Sequence, residues 1–471
     1  MTRSRKKQVH LAAHFPGVNN TTVWSDPNSG SQTDFASFVH FAHTAERGLF
    51  DFLFLAEGLR LREHRGQIHD LDVVGRPDTF TVLNALAAVT THLGLGGTIN
   101  TTFNEPVEIA KQFASLDHLS GGRAAWNLVT SSDAFTGENF RRGGFLRPEQ
   151  RYERAAEILE VAKKFWDSWA SDAVRADQAA GVFVPDEAIS PVDHRSELFQ
   201  VSGRFGTPRS PQGYPVFLQS GDSDPGREFG AATADAIFSR HGTLEAGQAF
   251  FADLKGRMPR YGRHPDDLKI LPAATFVLGD TPADAEERAA HVRRQQVGPQ
   301  TAIAFLEQVW GRDLSAYDPD GPLPDVDPDP ENVSITRGRV RHERDTVALA
   351  RQWRELAESR NLSIRELIIE TSARQSFIGT AAQVAEQIDS YVQADASDGF
   401  ILVPHLTPGG LDEFVERVIP ELQDRGSFRT EYTGRTLRDH LFQGDTPATR
   451  DLATRDLHHP LHPRESGLSA H

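Results

Sequence analysis

Short apolar runs recur along the chain, and most are followed by a stretch whose apolar residues fall at helical spacing. The runs VHLAAHF (9–15), FDFLFLAE (50–57), LGLGGTINTT (93–102), RAAWNLVTS (123–131), PVFLQ (215–219), DAIFS (235–239), ILPAATFVL (270–278) and FILVP (400–404) predict buried strands. They are apolar on both faces, too short for helices and bounded by turn residues. Between them the period lengthens. Phe35, Phe38, Val39, Ala42 and Ala45 predict a helix over 34–47, and further helices are expected over 79–92 and 106–122. A long one starts near Glu149 and carries Ala155, Leu159, Ala162 and Trp166 on one side. The series continues at 225–232, 244–258 and 380–394, and ends on a helix with Phe414, Val415, Val418, Ile419 and Leu422.

Regular strand–helix alternation argues for an α/β fold, a closed TIM (β/α)8 barrel of parallel strands, with a doubly wound open sheet as the structural alternative. The alternation breaks twice, at about 170–212 and at about 279–378. The expected organisation is therefore one barrel over 8–426 with two insertions, then a polar, His- and Arg-rich arm or tail over 427–471. Within the second insertion, the composition of 318–332 (DPDGPLPDVDPDPEN) predicts a mobile acidic loop.

Charge and composition narrow the function. A net charge of −16 disfavours nucleic acid or an anionic membrane as the main partner. The absence of cysteine excludes disulfides, thiolate nucleophiles and Cys-ligated metals. The basic start MTRSRKKQVHLAAHFPG lacks the long apolar core of a secretory signal, and no run is long enough to span a bilayer. A cytoplasmic protein is expected.

In such a barrel, function gathers where strands end and loops begin. That rim would carry His14, Glu57, Asn100 to Thr102, Asn127 to Ser131, the 220–226 loop and His405. The loop LQSGDSDPGREFG (218–230) is open to three accounts. Gly221 and Gly226 permit tight turns, Ser223 adds a hydroxyl, and Asp224 and Pro225 suit a helix start. The free N–H groups of that start suit a phosphate, although Asp222 and Asp224 oppose one unless their side chains turn away. A plain strand–turn–helix junction is the second account. A nucleophilic Ser223 is the third and the weakest, because Pro225 breaks the elbow pattern. GLGGTI (94–99) opens a strand instead of following one, so it is not a dinucleotide loop. No metal site is expected. His10 and His14 are about 13 Å apart at strand rise, and His64, His69, Asp70 and Asp72 lack regular ligand spacing. WNLVTSSDAF (126–135) sets Asn127, Thr130, Ser131 and Ser132 at a strand end, where they could meet a polar ligand or cap the next segment.

HFPGVNNTTVW, TAERGLFDFLFLAEGL, LDHLSGGRAAWNLVTSS, RYERAAEILEVAKKFWDSW, RSPQGYPVFLQSGDSDPGREFG and VIPELQDRG together resemble the flavin-dependent monooxygenases of the bacterial-luciferase superfamily. The resemblance runs from about residue 8 to about 426 and is strongest to the branch of the nitrilotriacetate and dibenzothiophene sulfone monooxygenases. It implies a TIM barrel that takes reduced FMN (FMNH2) from a separate NAD(P)H-dependent flavin reductase. With O2 as co-substrate, one oxygen atom would enter a small organic substrate and the other leave as water. The alternative is a flavin-binding barrel without oxygenase activity. The resemblance also implies a homodimer or homotetramer, and FMN contacts from Glu57, Thr101, Thr102, Ser131, Tyr152, Gly221, Asp222 and Ser223. His14 and Asn127 are the catalytic candidates. The chain departs from the family pattern at Glu57, where relatives usually carry Asp, and at Pro148, where many carry His.

Overall fold

Eight parallel strands pair edge to edge until the last meets the first. In the computed structural model they are β1 (His10–His14), β2 (Phe52–Leu55), β3 (Gly94–Asn100), β4 (Ala124–Val129), β5 (Val216–Gln219), β6 (Ala236–Ser239), β7 (Lys269–Leu278) and β8 (Gly399–Leu402). The structure describes residues 6–68, 75–131, 137–140, 148–330, 336–337, 345–372 and 376–442. The pairing runs β1 to β7 through β2, β3, β4, β5 and β6, and β8 joins β7 back to β1. The ring is closed, so the open-sheet alternative falls. All eight predicted runs form strands; most are trimmed at the ends where the chain turns, while 270–278 gains Lys269 and the last strand starts one residue early, at Gly399.

Helices α1 (Phe35–Arg47), α2 (Thr79–Ala87), α3 (Pro106–Ser120), α4 (Pro148–Asp167), α5 (Asp224–Thr233) and α6 (Leu244–Arg257) follow the first six strands. On α1 the buried stripe is Phe38, Phe41, Ala42 and Ala45, while Phe35 is exposed at the helix start. The second insertion contributes α7 (Pro282–Gln296), α8 (Pro299–Trp310), α9 (Thr346–Arg360) and α10 (Ile364–Thr371). These build a small core of their own from Ile303, Leu306, Trp310, Leu314, Ile364 and Ile368. Helices α11 (Ala381–Gln393) and α12 (Asp412–Asp424) complete the outer ring. The first insertion folds as an antiparallel hairpin, Val192–Arg195 with Gln200–Gly203.

The acidic stretch from 318 is strapped down over its described part, contrary to the composition. Arg354 donates to the Asp327 carboxylate and the Val326 carbonyl, both at 2.7 Å, and Trp310 Nε1 also donates to the Val326 carbonyl.

The glycines of β3 serve packing. A Cβ on Gly94 would lie 2.7 Å from Leu437 and 2.8 Å from Phe52 inside the barrel; one on Gly97 would lie 2.6 Å from Leu83 outside it. Large side chains on neighbouring elements fill the space that β3 vacates. One of those neighbours comes from the C-terminal arm. Helix α13 (Leu437–Phe442) inserts Leu437, Leu441 and Phe442 among Ala12, Phe52, Val216 and Leu271, closing the N-terminal mouth of the barrel. Arg429 and His10 meet the fully buried Asp51 there, and Arg438 pairs with Asp235 at 3.1 Å. Burial alone would raise the Asp51 pKa, but Arg429 and His10 outweigh it and hold the carboxyl well below the usual carboxylate range. This arm is therefore polar by composition yet built into the fold as far as residue 442.

Candidate active site

The opposite mouth, at the strand C-termini, holds the polar groups that the barrel floor does not use. Its most developed feature is the turn from β5 into α5. Ser223 takes an extended backbone and its Oγ accepts from Gly226 N at 3.3 Å, so it caps the helix. Pro225 sits in the first turn, where it has no N–H to waste. Gln219 Oε1 accepts from Gly221 N at 2.6 Å and sets the bend. The backbone then doubles back so closely that a Cβ on Gly221 would fall 2.8 Å from Gly226 Cα, and one on Gly226 would fall 3.0 Å from Tyr152 Oη. Only glycine fits at either place.

Asp222 and Asp224 are both turned away from this turn. Arg227 binds the Asp222 carboxylate at 3.0 Å, and Arg257 binds that of Asp224 at 2.7 Å. Arg227 also reaches Asp253 and lies over the Phe250 ring, 4.8 Å from its centroid. With both carboxylates held in ion pairs, the positive end of α5 lies beside the Tyr152 hydroxyl. The predicted loop and Tyr152 thus come together, although they are about 70 positions apart along the chain.

A second group of polar side chains lines the barrel interior below the mouth. Asn127 Nδ2 donates to Thr98 Oγ1 at 2.9 Å, and its buried Oδ1 has no hydrogen-bond partner among the described residues. His14 stacks obliquely near Phe54 and shares a 3.1 Å hydrogen bond with the Phe54 carbonyl through Nδ1. A carbonyl can only accept, so Nδ1 carries the proton and Nε2 keeps its lone pair in the neutral ring.

Glu57 lies just beyond β2, half-buried. Its Oε2 accepts from both the backbone N and the side-chain Nδ2 of Asn100, each at 3.0 Å. Burial outweighs these two donors and, with help from Asp78, pushes the carboxyl up to about 7. A buried carboxyl shifted toward neutrality at a barrel mouth marks a candidate for a functional role.

Thr101, Thr102 and Ser131 play a quieter part. Thr101 Oγ1 donates to the Val129 carbonyl, and Thr102 Oγ1 accepts from Ser131 N at 2.9 Å. These bonds tie the ends of β3 and β4 together. Arg154 of α4 reinforces the same corner by donating to the Thr101 carbonyl at 2.9 Å. Ser132, His69, Asp70 and Asp72 lie outside the described residues. His64 binds Glu307 at 2.6 Å and so links the loop after β2 to the second insertion.

Sequence reasoning missed Gln219, Arg227, Arg257 and His241. His241 follows β6, packs against Phe250 at 4.3 Å, and is kept neutral by burial. Its residue type at a strand end was a usable signal; the arginine pairings were not, because they need the tertiary fold.

A family model for luciferase-like monooxygenases matches residues 18–398. The chain belongs to the luciferase-like monooxygenase family. N-acetyl-S-(2-succino)cysteine monooxygenase of Bacillus subtilis is 38% identical over 93% of this chain and 97% of its own length. Nitrilotriacetate monooxygenase component A of Aminobacter aminovorans is 39% identical, over 87% of this chain and 90% of its own. Among solved structures, a riboflavin lyase bound to modified FMN and riboflavin superposes with a TM-score of 0.76. It is 27% identical over 94% of this chain and 97% of that one. The closed barrel is therefore the luciferase-like one, and this chain is a monooxygenase of that family.

Proposed function

We propose that this monooxygenase works with reduced FMN supplied by a separate NAD(P)H-dependent flavin reductase, uses O2, and inserts one oxygen atom into a small organic substrate. The observation that carries this reading is the turn at 221–226. It is a helix N-terminus with both nearby carboxylates neutralised, two glycines in mutual contact, and a tyrosine hydroxyl alongside. These residues fit a phosphate monoester such as the FMN tail, with Gly221, Ser223 and Tyr152 as its holders. The Asn127 Oδ1 fits the same reading, because a buried acceptor without a partner among the described residues is ready for a ligand N–H. Asp222 would act indirectly, by fixing Arg227. The β3 glycines are occupied by packing, which supports a pyridine nucleotide being used by a partner protein instead.

Bound reduced FMN would supply the electrons that activate O2. The chain's own residues would hold, orient and protect. Glu57 can keep or release a proton near pH 7, His14 is oriented by its bond to the Phe54 carbonyl, and the second insertion lines part of the mouth. Anaerobic titration with reduced FMN tests the binding. Reoxidation in air with a flavin reductase and NADH then tests the reaction. Saturable binding and a change in the reoxidation course are expected; failure of both removes the reading.

A further inference from the structure

A cleft lies between the second insertion and the barrel mouth. Its floor is Thr275 and Val277 of β7, which share a strand face with Ala273, a residue packed in the barrel interior. The cleft is thus an upward continuation of the mouth. Its walls are His405, after β8, and Arg293, Phe305 and Ile369 from the insertion.

Among the described residues that line this cleft, Arg293 is the one side chain with a permanent charge, and none is Asp or Glu. Two neighbouring arginines, Arg288 and Arg365, have partners, while Arg294 on the same helix is exposed to solvent. Arg288 donates to the Leu278 carbonyl and lies 3.4 Å from Glu413, while Arg365 donates to the Val297 and Arg294 carbonyls. The half-buried Arg293 guanidinium has no hydrogen bond or ion pair with the described residues. A helix C-terminus favours a cation, but that alone does not explain why the cation faces a cavity without a counter-charge. In a chain of net charge −16, an acid partner would have been easy to place there.

Helix α7 is also fixed where this matters. Gln296 Nε2 donates to the Thr21 carbonyl at 2.6 Å, so the last turn is pinned to the loop after β1. The same lining offers apolar surface from Val277, Phe305 and Ile369, together with His405, whose pKa burial lowers.

We propose that this cleft binds the substrate, and that the substrate is a small organic acid whose carboxylate pairs with Arg293 while its apolar body lies against Val277, Phe305 and Ile369. The proposal rests on the monooxygenase reading for the word substrate, but its binding claim can be tested without flavin. A planar guanidinium matches a carboxylate bidentately, which a lysine ammonium cannot do.

The test is calorimetric titration of the full chain, without flavin, with succinate, hexanoate and phenylacetate and with the methyl ester of each. Binding of at least one acid is expected, weaker by about tenfold or more for its ester and for Arg293→Gln, with a smaller loss in Arg293→Lys. Reduced FMN should bind Arg293→Gln as it binds the unaltered chain. The proposal is overturned if none of the acids binds, if acid and ester bind alike, or if Arg293→Gln keeps full affinity for the acid. Acid binding through Arg293 in a chain that fails to bind reduced FMN would uphold this inference and sink the flavin reading, so the two failures are distinguishable.

Discussion

Replacing Glu57 by Gln should make the protein more stable at high pH and leave it nearly unchanged at low pH. Burial raises the carboxyl from its usual 4.5 to about 7 in the folded chain. Between these values the unfolded chain has lost the proton and the folded chain keeps it. The folded state then binds more protons than the unfolded one, so stability falls as pH rises through this window. Below about pH 4.5 both states are protonated and the penalty vanishes. Above about pH 7 both are ionised and the penalty is complete.

Each tenfold change in an acid dissociation constant is worth about 1.4 kcal/mol, so the full penalty has an upper bound of about 3 kcal/mol. Glu57 keeps some contact with solvent and accepts two hydrogen bonds from Asn100, so a realised difference of about 1–3 kcal/mol is expected. Glutamine keeps an acceptor for Asn100 and cannot ionise. Urea denaturation of both proteins without flavin, at pH 5, 6, 7 and 8, gives the comparison. The gain from Glu57→Gln should grow with pH and level off near pH 8. Infrared titration should show a protonated carboxyl that disappears near pH 7 and is missing in the variant. A difference that is flat with pH, or that favours the glutamate at pH 8, would refute both the burial argument and a proton-handling role for this residue.

Three further outcomes follow from the geometry. Ser223→Asp preserves a good helix cap, so stability by thermal denaturation should change little, while FMN binding weakens by about 1–3 kcal/mol from the new charge; unchanged affinity would place the phosphate elsewhere. Gly226→Ala puts a methyl 2.9 Å from Gly221 Cα and 3.0 Å from Tyr152 Oη, and should cost about 1–3 kcal/mol of stability together with most of the FMN affinity in a fluorescence titration. Arg429→Ala strands the buried Asp51 at the far mouth and should cost about 3–5 kcal/mol in a denaturation curve, with FMN affinity of the folded fraction unchanged; a loss below about 1 kcal/mol would mean that the pair is not a structural anchor.

The barrel was legible in the chain because each of its strands is buried on both faces. A segment such as 270–278 can then be apolar without alternation and still be short enough to be read as a strand. The phosphate turn was half legible. Gly221, Ser223 and Pro225 are local signals, and their geometry follows from neighbours two to five residues away. What decided whether the turn could accept an anion was the direction of Asp222 and Asp224. That direction is set by Arg227 and by Arg257, the latter 33 positions from its partner, and such a pairing leaves no periodic trace. The docking of the arm from 427 was hidden for a related reason: Arg429 and Arg438 are buried because Asp51 and Asp235 meet them at the barrel floor, and such pairings need the tertiary fold. Thr101 reads as a ligand contact by type and place, and the structure assigns its hydroxyl to the Val129 carbonyl.

The two mouths of the barrel treat polar groups in opposite ways, and this bears on where selection for stability ends and chemistry begins. At the floor, charges are buried but matched: Asp51 with Arg429 and His10, Asp235 with Arg438. A matched buried pair is costly to break and useless to a ligand. At the opposite mouth the groups are held in the form least costly to bury and left for something else to satisfy. His241 and His405 are kept neutral by burial, Glu57 is moved toward its protonated form, and Asn127 keeps an orphaned acceptor. Unsatisfied buried polar atoms each cost about 1–3 kcal/mol, so a fold selected only for stability would remove them. At Asn127, His241 and His405 a bound ligand would repay that cost, and barrel architecture allows it because the floor carries the anchoring pairs independently.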